Sequence, residues 1–294
     1  MLRKFVNKLI AFSNYLGNNS FLNIENLDEL SVKKKVIFYT LAWGKYLDTY
    51  FNFTLPSIVH KSNIPKLAKE DYEISFILYT IENKNEIAVK YKNQIELTSP
   101  YSFTIKEFKK ENNKVTSIAN LSTINILQYC IDTNSILFMA FPDVIYSNNS
   151  IFNSVVFSYS KRRSFASAHP RINTKILKEF KYFPKDGFES TKLVAYALVN
   201  PHSSFKFASE KLASSTAYSG ISYRQLSKSI FSVTSNIPSP FVVIPTIEDV
   251  NFFKNTGNFN EWDRGWLSFL LKKNRLKISG SSDMFFCVEI TEEN

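Results

Sequence analysis

Residues 33–44 read Lys33-Lys34-Lys35-Val36-Ile37-Phe38-Tyr39-Thr40-Leu41-Ala42-Trp43-Gly44. Three lysines give way to an unbroken run of apolar and β-branched residues. A strand with one wet face would alternate polar and apolar positions. A continuous apolar run marks a strand buried on both faces, as in a parallel sheet covered by helices. Ala42-Trp43-Gly44 then supplies a turn. Residues 46–59 come next, with Leu47, Tyr50, Phe51, Phe53, Thr54, Leu55 and Ile58. That spacing predicts a helix with a broad apolar face, broken or kinked at Pro56.

The same alternation of elements continues. Residues 72–80 (YEISFILYT) predict a second buried strand, and residues 135–141 (SILFMAF) a third that ends at Pro142-Asp143. Asn63-Ile64-Pro65 reads as a loop, residues 82–87 as a turn and residues 94–98 as a short strand. Residues 108–116 are a charged connection into a helix over 117–129, and another helix is expected over 150–159. Strand, helix, strand, helix, strand is the rhythm of a parallel sheet with both faces covered. Beyond it, helices are expected over 173–180, 189–199 and 223–231, with strands over 241–244 and 283–291. The expectation is thus one α/β domain, residues 31–294, with a Rossmann-like, mostly parallel central sheet and a more helical C-terminal half.

Residues 1–30 read as a separate segment. Leu2, Phe5, Leu9 and Phe12 recur at spacings of three and four, with Arg3, Lys4 and Lys8 beside them. This is an amphipathic helix pattern. It fits either a helix packed on the domain or a contact with an anionic membrane surface. No apolar run reaches the roughly 18 residues that span a bilayer, and the first residues lack the pattern of a secretory leader. A cytoplasmic place, against the inner face of the membrane, is the expectation.

The composition narrows the chemistry. Only 7 glycines occur in 294 residues, which leaves little for a glycine-rich phosphate loop. No Walker A, G-x-G-x-x-G or G-x-S-x-G pattern is present, which argues against ATP hydrolysis, dinucleotide redox chemistry and serine hydrolysis. The 27 Phe and 15 Tyr residues can fill a large core. Cys130 and Cys287 stand far apart in apolar runs and read as buried free thiols. His60, His169 and His202 have no zinc spacing. His169-Pro170-Arg171 and Pro201-His202-Ser203 are loop-like, where either imidazole can touch a phosphate or an acceptor. The net charge of +10 permits nucleic-acid binding, but the lysines are interleaved with Glu and Asp and no recognition motif appears.

In parallel α/β sheets, ligands bind beyond the carboxyl ends of the strands. Thr40 to Gly44, then Tyr79-Thr80, then Pro142-Asp143 would therefore converge on one edge. They bring hydroxyls, an aromatic face and a carboxylate, a set able to hold a base, a ribose and a diphosphate.

Three stretches carry a resemblance: TLAWGKYLDTYFNFTLPSIV (40–59), SNIPKLA (62–68) and ISFILYT (74–80). Together they resemble the opening of bacterial GT-A-like glycosyltransferases of surface polysaccharide synthesis. FMAFPDVIYSNNSIFNSV (138–155) is similar to the strand that carries their metal motif, and TIEDVNFF (246–253) and SSDMFFCVEIT (281–291) resemble their closing segments. The resemblance implies transfer of a sugar from a nucleotide-sugar donor to a glycan or lipid-linked acceptor. It implies nucleotide contacts from Thr40, Ala42, Trp43, Gly44 and Thr80. It places Asp143 where the second carboxylate of an Asp-x-Asp motif holds Mg²⁺ or Mn²⁺. The first carboxylate is missing, because position 141 is Phe141. Arg162, Arg163, Arg171 and His202 are the candidates to meet phosphate or acceptor instead. Inverting transfer needs a carboxylate base, for which Glu248, Asp249 and Asp283 are candidates; each also reads as a solvated carboxylate or a helix cap. The missing Asp leaves open a GT-A-like binding module without catalysis.

Overall fold

Strand β1 (Lys35–Leu41) pairs in parallel with β2 (Glu73–Thr80), and β2 with β3 (Ser102–Glu107). On its other side β1 pairs in parallel with β4 (Ile136–Met139). One phenylalanine from each strand falls in register. Phe103, Phe76, Phe38 and Phe138 form a row with neighbouring ring centroids 5.8, 5.2 and 4.9 Å apart. Such cross-strand aromatic contacts help to pin a register that a one-residue slip would destroy.

These strands belong to a computed structural model that describes residues 34–108, 115–173, 189–199, 206–207, 221–225, 231–235, 239–256 and 265–291. All lie within the compact unit Val32–Asn294. The expected amphipathic segment 1–30 lies outside the described residues, as does His202.

The central sheet has seven strands in the order β3-β2-β1-β4-β11-β6-β12, where β6 is Ser164–Ser167, β11 Ser239–Val243 and β12 Leu276–Ser279. The order 3-2-1-4 in the first half is that of a doubly wound Rossmann-like sheet, reversing direction beside β1. Strand β11 is antiparallel to both neighbours, while β6 and β12 run parallel to each other. The expected α/β class with a mostly parallel sheet is what the chain adopts.

Alternation along β1 explains the two layers. Val36 and Phe38 face one core, with Tyr50, Phe51 and Leu55. Ile37 and Tyr39 face the other, with Ile126, Leu127, Phe253 and Trp266. The first layer begins with α1 (Lys45–Thr49), a π-helical turn (Tyr50–Thr54) and α2 (Leu55–Val59). The expected break at Pro56 sits one turn earlier, at residues 50–54. Proline has no N–H to give to the carbonyl four residues back, and the turn before it widens to i→i+5 bonding.

The rest of that layer corrects three local expectations. Asn63-Ile64-Pro65 opens helix α3 (Ile64–Lys69), with proline in the first turn where its missing N–H costs nothing. Residues 82–87 lead into α4 (Lys84–Lys90), capped by the Asn83 side chain, which accepts from the N–H groups of Asn85 and Glu86. Residues 94–98 overlap α5 (Lys92–Glu96) rather than a strand. The edge strand is β3 instead.

Helix α6 (Val115–Asp132) covers the second face, and α7 (Ser150–Lys161) the first. Helices α8 (Ser190–Val199), α9 (Ile247–Thr256) and α10 (Leu267–Lys272) come later in the chain. The expectation of a more helical second half is corrected by its strands. Besides β6, β11 and β12 it holds β7 (Arg171–Asn173), β8 (Lys206–Phe207), β9 (Ile221–Gln225), β10 (Phe231–Ser235) and β13 (Cys287–Thr291). Of residues 223–231, expected as helix, 223–225 lie on β9 and Phe231 opens β10, two strands paired antiparallel, and residues 226–230 lie outside the described residues. Asn173 ends a strand rather than starting a helix, and residues 174–180 lie outside the described residues. Strand β5 (Val144–Tyr146) joins β13 and β7 in a second sheet, order β5-β13-β7. Cys130 and Cys287 are buried free thiols, as expected. Among the described residues no helix is long and apolar enough to cross a membrane.

Candidate functional site

The tips of β1 and β4 lie side by side where the sheet order reverses, and a cavity of about 340 Å³ opens there. From β1 and its turn come Tyr39, Leu41, Ala42, Trp43 and Tyr46; from β4 and its turn come Met139, Ala140, Phe141, Pro142 and Asp143. Among the described residues the wall is aromatic and aliphatic, with one carboxylate. That is the composition of a small-molecule site: apolar surface for affinity and a few polar groups for orientation.

Trp43, Ala42 and Asp143 thus line this one cavity. Thr40 and Thr80 are not in the wall. The Thr40 hydroxyl is buried and donates to the Ala140 carbonyl at 2.8 Å, tying the two strand tips. The Thr80 hydroxyl accepts from the Glu82 N–H at 3.2 Å, and the Glu82 carboxylate accepts from the Gly44 N–H at 2.5 Å. Thr80 and Glu82 therefore brace the Trp43-Gly44 turn from the neighbouring strand. Gly44 has φ +55°, a conformation that side-chain-bearing residues resist.

Asp143 sits between the two sheets. Its carbonyl accepts from the Ile290 N–H of β13 at 2.7 Å. Burial, and then the nearby Glu289 carboxylate, push the Asp143 carboxyl up to about 7. Glu289 behaves in the opposite way. Burial would raise it, but His169 and Arg171 outweigh burial and hold it at about 2. Arg171 Nε donates to Glu289 Oε2 at 2.9 Å, and His169 Nε2 lies 3.1 Å from the same oxygen. An ionised carboxylate only accepts, so Nε2 carries the proton. Strand pairing makes this cluster, since Glu289 lies opposite Arg171 in register. Sequence reasoning finds Arg171 but misses Glu289, and places His169 in a loop where it can touch a phosphate or an acceptor rather than against a glutamate. The motif His-Pro-Arg carries no sign of a glutamate 118 residues further on.

The remaining candidates separate by sheet edge. Strand β11 is antiparallel, so the residues after it lie at the edge opposite the cavity. Glu248 and Asp249 are among them, and neither is placed to take a proton in the cavity. Asp249 is wholly buried and accepts from Trp266 Nε1 at 2.9 Å, from the Thr246 N–H at 2.8 Å and from Arg275 Nη2 at 2.6 Å. Glu248 pairs with Lys273 at 3.2 Å. Arg162 and Arg163 precede β6, which puts them at that same far edge; the Arg162 guanidinium lies 5.0 Å over the Tyr159 ring. Asp283 comes after β12 and is exposed in a turn at the cavity's edge of the sheet, though outside the cavity wall.

The missing first carboxylate has a packing reason. Phe141 meets the Phe241 ring edge-on, with centroids 5.5 Å apart. Among the described residues no group of three or more His, Cys, Asp or Glu side chains could hold a metal ion. Asp143 alone, with Glu289 committed to His169 and Arg171, does not fit a preformed site for Mg²⁺ or Mn²⁺.

No protein-family model matches the chain, and no curated protein sequence does. Among solved structures, the chain is similar to a glucose-1-phosphate thymidylyltransferase from Bacillus anthracis in complex with a sucrose. Identity is 13%, coverage 87% of this chain and 89% of that one, and the TM-score 0.41. It is also similar to core-mannan synthase A from Aspergillus fumigatus in its Mn/GDP form. There identity is 10%, coverage 57% and 49%, and the TM-score 0.26. Both superpositions score below one half, so neither bears on what this chain binds.

Proposed function

We propose that the chain is a GT-A-like glycosyltransferase that takes a sugar from a nucleotide-sugar donor. One observation carries the reading: an aromatic cavity with a single carboxylate, at the β1/β4 switch point of a Rossmann-like sheet. The physical reason is that loops on either side of such a point part in opposite directions and leave a crevice between the strand ends. In this reading the nucleoside base packs against Trp43, Tyr46 and Phe141. The diphosphate extends toward Arg171. The acceptor hydroxyl attacks the anomeric carbon, and the nucleoside diphosphate leaves. A carboxyl held near neutrality can take the hydroxyl's proton at working pH, which makes Asp143 the first candidate and Asp283 the second. The acceptor is a glycan or a lipid-linked sugar, and work beside the inner face of a membrane would suit the basic N-terminal segment.

Phe141 favours a second reading, a module of the same build that binds the nucleotide without transfer. Both readings require nucleotide binding. UDP, GDP or CMP at about 100 times its Kd should stabilise the chain by about 2.7 kcal/mol, seen as a raised Tm, and Trp43→Ala should abolish the rise. No rise with any of the three nucleotides would sink both. Release of nucleoside diphosphate in the presence of acceptor separates the enzyme from the module.

A further inference from the structure

A second hollow lies along the same sheet edge, over the tips of β2 and β3. It is an open groove of about 750 Å³. Its helical wall comes from α6, where Asn125, Gln128, Tyr129 and Asp132 line it. Their spacing of three, one and three puts them on one face of the helix. The opposite face of α6, with Ile126, Leu127 and Cys130, is buried in the core. Nothing in the core therefore requires these four side chains.

The floor is aromatic. Tyr79 and Phe108 stack with centroids 5.3 Å apart and an interplanar angle of 25°. Lys106 Nζ bridges from the Tyr79 ring, at 5.4 Å, to the Tyr129 ring, at 5.2 Å. Tyr129 is 36% exposed. The polar groups are already oriented: Gln128 Nε2 donates to Asp132 Oδ1 at 2.8 Å, and Glu107 Oε2 accepts from the Lys84 N–H at 3.1 Å.

The charges on the lining decide between ligand classes. Among the described lining residues Lys84 and Lys106 offset Glu107 and Asp132, so that lining is neutral. A phosphate or nucleic-acid strand would meet two carboxylates with no surplus of cations among the described residues. A lipid tail would have to desolvate four charges and two amides. A neutral polyol fits, because its hydroxyls both donate and accept while its C–H faces cover aromatic rings. We propose that this groove is a saccharide-binding site.

Its position gives it a use. Tyr79 of the groove touches Tyr39 of the cavity, with centroids 5.7 Å apart and an angle of 66°. The two hollows share this ring pair as a wall. As the place where a glycan acceptor is held, the site rests on the transferase reading above; as a saccharide site it stands without it.

The test uses the full chain and four probes: the hexasaccharides of the cello, malto, chito and xylo series. Binding is read by calorimetry and by saturation-transfer NMR, without nucleotide. At least one hexasaccharide should bind saturably, and Tyr129→Ala and Gln128→Ala should each weaken it tenfold or more. Both residues are on the outer face of α6, so the Tm of the variants should stay near that of the parent. If no probe saturates the chain, or if binding is unchanged in both variants, the proposal is overturned. UDP, GDP and CMP titrated into the same proteins keep the two ideas apart. Saccharide binding without any nucleotide binding overturns the donor cavity alone.

Discussion

Asp143 is the residue whose environment says most about its use. Its carboxyl is raised to about 7 by burial first and then by Glu289. A carboxyl raised on folding contributes stability that is full below its unfolded value and is lost as pH climbs through the folded one. Between about pH 4 and pH 7 the chain should therefore lose stability on account of Asp143. Asp143→Asn should flatten that part of a Tm-against-pH curve, and an unchanged slope would show that the carboxyl is not desolvated. Glu289, held at about 2, acts with the opposite sign: its contribution is present above about pH 4.5 and fades toward pH 2. Asp143→Ala should also cut transfer by orders of magnitude; an unaltered rate would remove Asp143 from the chemistry. Asp143 could be placed at a strand tip beside Trp43 from the sequence. Glu289 could not be found there, because its contact is made by pairing strands far apart in the chain.

At the level of elements, direction matters more than identity. The helix after β11 looks, in sequence, like any acidic helix start, and Glu248 and Asp249 read as catalytic candidates. Because β11 runs against its neighbours, that helix start lies away from the cavity. Asp249 instead joins α9, α10 and β12 through Trp266 and Arg275. Removing one partner of a buried ion pair costs about 3–5 kcal/mol. Asp249→Ala should therefore lower stability by about that much, measured by denaturant titration, while the nucleotide Kd of the folded fraction stays as it was. A loss of nucleotide affinity at unchanged stability would return Asp249 to the site. Elements are legible where the pattern is long and strong, as in β1, β2, β4 and α6. The short pieces α3, α4, α5, β9 and β10 escape sequence reasoning because caps and pairing partners, not periodicity, set them.

Across the whole molecule, the row of Phe103, Phe76, Phe38 and Phe138 links the four strands whose tips carry the two hollows. Phe38 is in the middle and 1% exposed. Truncating such a ring leaves a cavity as well as losing transfer energy, about 3–5 kcal/mol together. Phe38→Ala should lower the Tm sharply and weaken the nucleotide response and the saccharide response together, since the tips of β1 and β2 form the wall between them. If only one response falls while stability is kept, the two hollows do not share a scaffold.

Burial on both faces was written in the chain itself. Runs such as VIFYT and ISFILYT have no charged position to turn toward water, so a doubly covered sheet was the natural place for them. Which strands became neighbours, and which way each ran, was settled only in three dimensions. A strand's side chains record how deeply it is buried, whereas its direction and partner come from backbone hydrogen bonds that carry almost no residue signature. The antiparallel turn of β11 and the meeting of β5, β13 and β7 were therefore invisible in one dimension. They decided which carboxylates stand at the cavity and which stand across the sheet from it.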